Sequence, residues 1–103
     1  FKLITIDITH MNITSTSNSF YFAYKCYSLT KFIIRNMTTI PALNETAFTD
    51  CYHFTGTTNA TYNPQGLKDG RIYVPDDKVD ALKTASGWST YSDIIVPLST
   101  LVE

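Results

Sequence analysis

The sequence predicts an α/β fold that is mainly β: a short solenoid of repeated coils with parallel strands, closed by a C-terminal helical cap. Three observations predict it. Apolar residues recur at a spacing of about 25 residues in the first half of the chain. The last third combines a β-prone run, a proline and an amphipathic helix. With 103 residues, 44% of them hydrophobic and 17% charged, and a net charge of −1, the composition is that of one globular domain.

The repeat becomes visible when the two cysteines are aligned. Residues 21–34 (YFAYKCYSLTKFII) and residues 46–56 (TAFTDCYHFTG) each place a Cys-Tyr pair after small and aromatic residues, and Leu29 and Phe54 each follow their cysteine by three. Leu3 opens LITIDI as Leu29 opens LTKFII, and Ile6 and Ile8 in the first run correspond to Phe32 and Ile34 in the second, each pair on one face of a strand. A spacing of about 25 residues lies within the range of leucine-rich repeats, whose coils stack their strands into a parallel sheet.

Alternation in each strand and the repeat between coils together predict which residues fill the interior. The strand positions share one face, and the residues around each cysteine fill the interior from the opposite side of the coil. The predicted interior residues are Leu3, Ile6, Ile8, Phe22 or Ala23, Cys26, Leu29, Phe32, Ile34, Ala47, Phe48 and Cys51.

The chain is predicted to be a single leucine-rich-repeat domain, residues 1–103, in three parts. Residues 1–54 form the repeat coils, residues 55–70 an irregular loop rich in Thr, Asn and Gly, and residues 71–103 the strand–helix cap. An open solenoid end exposes a sheet edge and an apolar interior, and a terminal cap covers both.

The cap is predicted from local signals. RIYV (71–74) is β-prone and Pro75 ends it, after which Asp76 or Asp77 is placed to cap a helix. The helix carries an apolar stripe, and Gly87 is placed to end it in a left-handed conformation. The stripe and the tail that we expect to fill the solenoid end are Val79, Leu82, Ala85, Trp88, Tyr91, Ile94 and Ile95.

Residues 72–99, IYVPDDKVDALKTASGWSTYSDIIVPLS, resemble the C-terminal signature of BspA-type leucine-rich-repeat proteins. AFTDC (47–51) and CYSLTKFIIRN (26–36) are similar to the repeats of that family, although Phe22-Ala23 inverts its usual Ala-Phe order and residues 55–68 replace a regular coil. The resemblance implies a non-catalytic binding or adhesion module of a bacterial cell-surface or secreted protein. The alternative that it implies is a bacteriophage virion structural protein, namely a tail, fibre or capsid-decorating component.

The residues with chemical potential do not predict an enzyme. Cys51 and His53 are close in sequence, and a thiolate–imidazole pair is nucleophilic. However, Cys26 and Cys51 occupy the same repeat position, which is typical of buried residues that stack from coil to coil. We expect free thiols, with a disulfide between adjacent coils as the open alternative. The spacing of the His, Cys and Asp residues predicts no metal site and no cofactor.

The tyrosines are the most informative candidates for binding. Tyr27 and Tyr52 flank the cysteines and are predicted to pack between coils, whereas Tyr24 and Tyr62 are predicted at an interface. The candidate binding residues are Tyr24, Lys31, Arg35, Tyr62 and Asn63.

The predicted partner is a protein, a glycan or other virion subunits, outside the cell or in a phage virion. The basic residues are scattered, so no nucleic-acid contact is predicted, and no apolar run is long enough for membrane insertion. Four Asn-x-Thr sequons, at Asn12, Asn36, Asn44 and Asn59, are either glycan acceptors in a secretory chain or the chance product of an Asn- and Thr-rich composition. Because the chain begins with Phe1, we expect a piece of a longer protein, and the oligomeric state stays open.

Overall fold

The structure, a computed structural model, describes residues 4–9, 23–44 and 46–102. Within these ranges lie the strands β1 (Thr5–Ile8), β2 (Lys31–Ile34), β3 (Arg71–Val74) and β4 (Ile95–Pro97). The same ranges contain the α-helices α1 (Tyr52–Thr55) and α2 (Val79–Thr84), and short 3₁₀ turns at Asp76–Lys78, Trp88–Tyr91 and Leu98–Thr100. The strands form one sheet in the order β1-β2-β3-β4, and every pair is parallel. The predicted α/β class and the parallel sheet are therefore confirmed.

The strand register follows the sequence repeat. Ile6 lies opposite Phe32, Phe32 opposite Ile72, and Ile72 opposite Ile95, so one row of apolar side chains crosses all four strands. The 26-residue offset between Ile6 and Phe32 is also the offset between Leu3 and Leu29 in the sequence. Leu3 itself lies outside the described residues.

The core lies between the sheet and the turns that contain the cysteines. Phe48 is its centre: its ring lies 5.2 Å from Phe32, 5.0 Å from Phe54 and 5.1 Å from Tyr91, measured between centroids. Such aromatic pairs contribute about 0.5–1.5 kcal/mol each beyond the area that they bury. The predicted interior residues that the structure confirms as buried are Ala23, Cys26, Leu29, Phe32, Ile34, Ala47, Phe48 and Cys51, while Ile6 and Ile8 are half-buried against the same cluster. Phe22 lies outside the described residues.

The two turns that contain the cysteines are also hydrogen-bonded to each other. The Ala23 N–H donates to the Ala47 carbonyl at 2.9 Å, and the Lys25 N–H donates to the Thr49 carbonyl at 2.7 Å. The Cys51 Sγ donates to the Ala23 carbonyl at 2.9 Å across the same boundary. Cys26 and Cys51 are buried free thiols, as expected. Burial raises the pKa of Cys51 to about 12.

The cap begins differently from the prediction. β3 ends before Pro75, as predicted, but no carboxylate caps the 3₁₀ turn at Asp76–Lys78 or the helix α2 that follows. The predicted helix cap by Asp76 or Asp77 is therefore wrong. Asp76 instead accepts a hydrogen bond at 3.0 Å from the backbone N–H of Ser99, and the hydrogen bonds from Ser99 lower the pKa of Asp76. The carboxylate thus joins the start of the cap to its end.

Gly87 has the predicted positive φ, +81°, but a different role. Helix α2 ends at Thr84 and is followed by an extended Ala85, so Gly87 does not terminate it. The glycine instead lets two backbone segments approach, because a Cβ at Gly87 would lie 2.0 Å from the carbonyl oxygen of Leu43. Only a residue without a Cβ fits this contact.

Trp88 is fully buried next to this contact, which confirms its predicted place in the interior. Its indole Nε1–H donates to the Pro41 carbonyl at 2.7 Å, and the Leu43 N–H donates to the Ser86 carbonyl at 2.9 Å. The cap is therefore anchored to residues 41–43 as well as to the sheet. Within the described ranges, none of the helices has the length and apolarity to cross a membrane.

Candidate functional site

Three tyrosines from different parts of the chain come together at the turns that contain the cysteines. Tyr27 follows Cys26, Tyr52 follows Cys51, and Tyr62 comes from the segment between α1 and β3. Tyr27 lies 5.8 Å from Tyr52 and 4.8 Å from Tyr62, centroid to centroid, and Tyr52 lies 6.4 Å from Tyr62. The ring planes differ by only 12–28°. All three side chains are half-buried, and we call this cluster the tyrosine surface.

Lys25 and Asp50 flank the tyrosine surface from equivalent positions of two successive coils. Each precedes a cysteine, and each has φ of +60°, which is uncommon for residues other than glycine and costs about 1–3 kcal/mol. Burial raises the pKa of Tyr52, and the Asp50 carboxylate and the neighbouring phenols raise it further, whereas Lys25 lowers it. The ammonium of Lys25 also lies 5.3 Å from the ring centroid of Tyr24, which is exposed.

Asn63 organises the segment that carries Tyr62. Residues 56–70 contain neither a helix nor a strand, yet Asn63 is buried at their centre. Its Nδ2 lies 3.2 Å from the Tyr52 carbonyl, 3.0 Å from that of Thr57 and 2.9 Å from that of Leu67. The Leu67 N–H donates to the Asn63 Oδ1 at 3.0 Å, and the backbones of Asn59 and Asn63 exchange two hydrogen bonds at 2.9 Å. One amide thus fixes the conformation of the segment.

His53 ties the same segment to helix α1. Its Nδ1 lies 2.6 Å from the Asp69 carboxylate and its Nε2 lies 3.0 Å from the Tyr62 carbonyl. Because an ionised carboxylate and a carbonyl only accept, both contacts are hydrogen bonds at once when both ring nitrogens carry a proton. The Gly70 N–H also donates to the His53 carbonyl at 3.0 Å. A Cβ at Gly70 would lie 2.2 Å from the Phe54 ring, so the segment closes tightly against the core.

The two predicted cationic binding residues lie elsewhere, on and after β2. Lys31 alternates with the buried Phe32, so its side chain lies on the outer face of the sheet. Arg35 follows β2 and forms a two-pronged ion pair with Asp7 of β1, with Nε–Oδ1 at 2.8 Å and Nη2–Oδ2 at 2.9 Å. The hydrogen bond from Arg35 lowers the pKa of Asp7. The observed contact of Arg35 therefore joins two strands.

The five predicted binding residues thus fall into separate groups. Tyr24 and Tyr62 lie at or beside the tyrosine surface, Asn63 is buried beneath it, and Lys31 and Arg35 are near the sheet. These positions do not test whether any of the five binds a partner.

Sequence reasoning missed Lys25, Asp50 and His53 as parts of the site. Lys25 and Asp50 carry a usable signal, since each directly precedes a repeat cysteine. No sequence pattern indicates the hydrogen bonds of His53, because its partners Tyr62 and Asp69 are 9 and 16 residues away in an irregular segment. The predicted packing of Tyr27 against Tyr52 is confirmed.

The chemistry of the site is that of contact and hydrogen bonding. In the part of the chain that the structure describes, no group of three or more His, Cys, Asp or Glu side chains is arranged to hold a metal ion. Comparison with family models, curated proteins and solved structures finds no match to this chain.

Proposed function

We propose that this protein is a non-catalytic binding module, built as a short leucine-rich-repeat solenoid, that contacts its partner through the tyrosine surface. One observation carries the proposal: the rings of Tyr27, Tyr52 and Tyr62 stack although they come from two successive coils and an irregular segment. Tyrosine buries a large area, loses little conformational entropy and keeps a polar hydroxyl, and for these reasons it is enriched at binding surfaces.

Two sets of contacts support the solenoid interpretation, one between the strands of the sheet and one between the turns that contain the cysteines. The strands pair at the repeat offset, and the turns 23–26 and 47–51 are joined by backbone hydrogen bonds. Each coil covers an apolar face that its neighbour exposes, which is the physical basis of repeat architectures.

Rigidity supports a role in binding. Asn63 fixes the segment that presents Tyr62, and His53 holds the backbone of Tyr62 directly. A site that is already ordered loses less entropy when its partner binds, so more of the contact energy appears as affinity. Long irregular segments on a rigid scaffold are also a frequent place for binding sites.

The state of Cys51 supports the non-catalytic part of the proposal. A cysteine nucleophile acts as a thiolate. Cys51 donates its proton to the Ala23 carbonyl at 2.9 Å, and burial raises its pKa to about 12, so it remains a thiol at neutral pH. The setting that fits the proposal is the bacterial cell surface or the extracellular medium, as the family resemblance implies.

The proposal is tested by screening the protein against printed panels of oligosaccharides and of short peptides. We expect binding to at least one probe, and we expect Tyr62→Ala to weaken it by about tenfold or more, equivalent to about 1.4 kcal/mol. Tyr73→Ala is the matched control, because Tyr73 is a half-buried tyrosine of β3 outside the tyrosine surface. Equal loss in both variants, or no loss in either, would refute the assignment of the surface.

A further inference from the structure

We infer that the ligand of the tyrosine surface is a neutral oligosaccharide, an inference that rests on the proposed function. The first argument is the arrangement of the rings. Tyr27 and Tyr62 stack with their ring centroids 4.8 Å apart, and the Tyr52 plane lies within 28° of both. All three side chains are half-buried, so the stack keeps part of its aromatic area at the surface. Partly exposed tyrosines offer a pyranose ring two contacts, since the π-system attracts its weakly positive C–H groups and the phenol hydroxyls hydrogen-bond with its hydroxyls.

The charges beside the rings favour a ligand without net charge. Lys25 directly precedes Cys26 and Asp50 directly precedes Cys51, and the Lys25 N–H donates at 2.7 Å to the carbonyl of Thr49, the residue before Asp50. The two opposite charges lie together beside the rings, so neither sign of net charge on a ligand is favoured. Sugar hydroxyls can donate to the carboxylate and accept from the ammonium. Hydrogen bonds to charged groups are shorter and roughly twice as strong as those between neutral groups.

The exposed residues around Tyr62 are also suited to a hydroxyl-rich ligand. Between residues 57 and 65 the exposed polar side chains are uncharged. They are Thr57, Thr58, Thr61 and Gln65, which donate and accept hydrogen bonds without attracting ions. The centre of a protein interface is instead richest in apolar and aromatic residues.

The fixed geometry matters most for a small ligand. An oligosaccharide buries little area, so the site must be ordered before it binds. Lys25 and Asp50 are held at φ of +60° by turns that hydrogen bonds join across two coils, and Tyr62 is held through its carbonyl by His53. The positions of the aromatic and the charged groups are therefore both set by the scaffold.

The inference is tested by protein-observed NMR and isothermal titration with defined hexasaccharides. The neutral probes are hexamers of glucose (β1,4 and α1,4), mannose and N-acetylglucosamine. The charged probes are hexamers of galacturonic acid and of glucosamine. We expect at least one neutral hexamer to bind and to shift the resonances of Tyr27, Tyr52 and Tyr62. Tyr62→Ala weakens it about tenfold or more, equivalent to about 1.4 kcal/mol, whereas Tyr62→Phe, which keeps the ring, and Tyr73→Ala retain it within about threefold.

A second variant tests the charge argument separately. Asp50→Asn removes the negative charge beside Tyr52 and leaves Lys25, so we expect the galacturonic acid hexamer to gain affinity relative to the neutral hexamers. Chemical-shift spectra of each variant confirm that it is folded.

The outcomes separate the inference from the proposed function. Failure of every neutral hexamer to bind the wild type, or sugar binding that survives in Tyr62→Ala, overturns the inference. If peptides bind in a manner that depends on Tyr62 while sugars do not, the inference is wrong and the proposed function stands. If neither class binds through Tyr62, both are wrong.

Discussion

Replacing Trp88 with alanine is expected to destabilise the protein by about 3–5 kcal/mol. The indole is fully buried, and a tryptophan removes roughly 150–250 Å² from water, which at about 25 cal/mol per Å² corresponds to about 4–6 kcal/mol as an upper limit. Partial collapse of the surroundings reduces this value. Loss of the Nε1–H donor adds to it, because the buried carbonyl of Pro41, 2.7 Å away, is left without that hydrogen bond.

Urea denaturation followed by far-ultraviolet circular dichroism measures the change, since the variant contains no tryptophan for fluorescence. Trp88→Phe separates the two contributions: it keeps an aromatic ring but removes the donor, so it should cost about 1–3 kcal/mol. Thr90→Ala, at an exposed position of the same 3₁₀ turn, should remain within about 0.5 kcal/mol of the wild type.

The wild type offers an independent check, because Trp88 is its single tryptophan. A buried indole emits at short wavelength and is protected from acrylamide. A cost below about 1 kcal/mol for Trp88→Ala, together with an indole that acrylamide quenches freely in the native protein, would refute the interior position that we assign to this residue.

Four further outcomes follow from single positions. Asn63→Asp sets a carboxylate against three backbone carbonyls, so it should destabilise by about 2–4 kcal/mol in the same urea assay, more than Asn63→Ala, which introduces no charge. Gly87→Ala should cost about 2 kcal/mol or more, because φ is +81° and the new Cβ would lie 2.0 Å from the Leu43 carbonyl oxygen; an unchanged midpoint would contradict this. Cys51, with a pKa raised to about 12, should resist alkylation at pH 8 in the native protein and react only on unfolding, and rapid labelling of the native thiol would count against its burial. The Nζ of Lys68 lies 2.7 Å from the Asp93 carboxylate, and this hydrogen bond lowers the pKa of Asp93. The stability that the carboxylate contributes is therefore complete above its unfolded pKa of about 4 and is lost as pH falls further; Asp93→Asn should remove that acid dependence in the urea assay.

The repeat explains why much of the sheet was predictable. A Leu29-x-x-Phe32-x-Ile34 pattern specifies which face of β2 packs in the core cluster, and a second pattern at the same spacing specifies the parallel partner. A one-residue slip would move the apolar set to the wrong face, so the pattern defines the register as well as the strand.

The errors in the cap arise from tertiary contacts that compete with local preference. Aspartate is a good helix-capping residue, but the carboxylate of Asp76 accepts a hydrogen bond from the backbone N–H of Ser99, 23 residues later, instead of capping the helix. Gly87 has the expected φ, yet its position is determined by the approach of Leu43 and not by the end of the helix. Neither partner is close in sequence, and local propensity contains no information about them.

The candidate site was predictable only in part for the same reason. Tyr27 and Tyr52 stack because the coils repeat, which the sequence contains. Tyr62 joins them because Asn63 and His53 fold an irregular segment back onto α1, and its contacts span 4 to 16 residues without periodicity.

The hydrogen bond from Gly70 to His53 has a consequence for how this protein can change over time. It brings the end of the Tyr62 segment back to α1, the helix from which that segment departs, and the sheet resumes directly afterwards at β3. Closing a longer segment between two fixed ends costs little, about 0.6 kcal/mol for each doubling of its length. Insertions at exposed positions between residues 57 and 69, away from the buried Asn63, therefore leave strand register and core packing largely unaffected, and this segment can change in length and sequence while the strands stay constant.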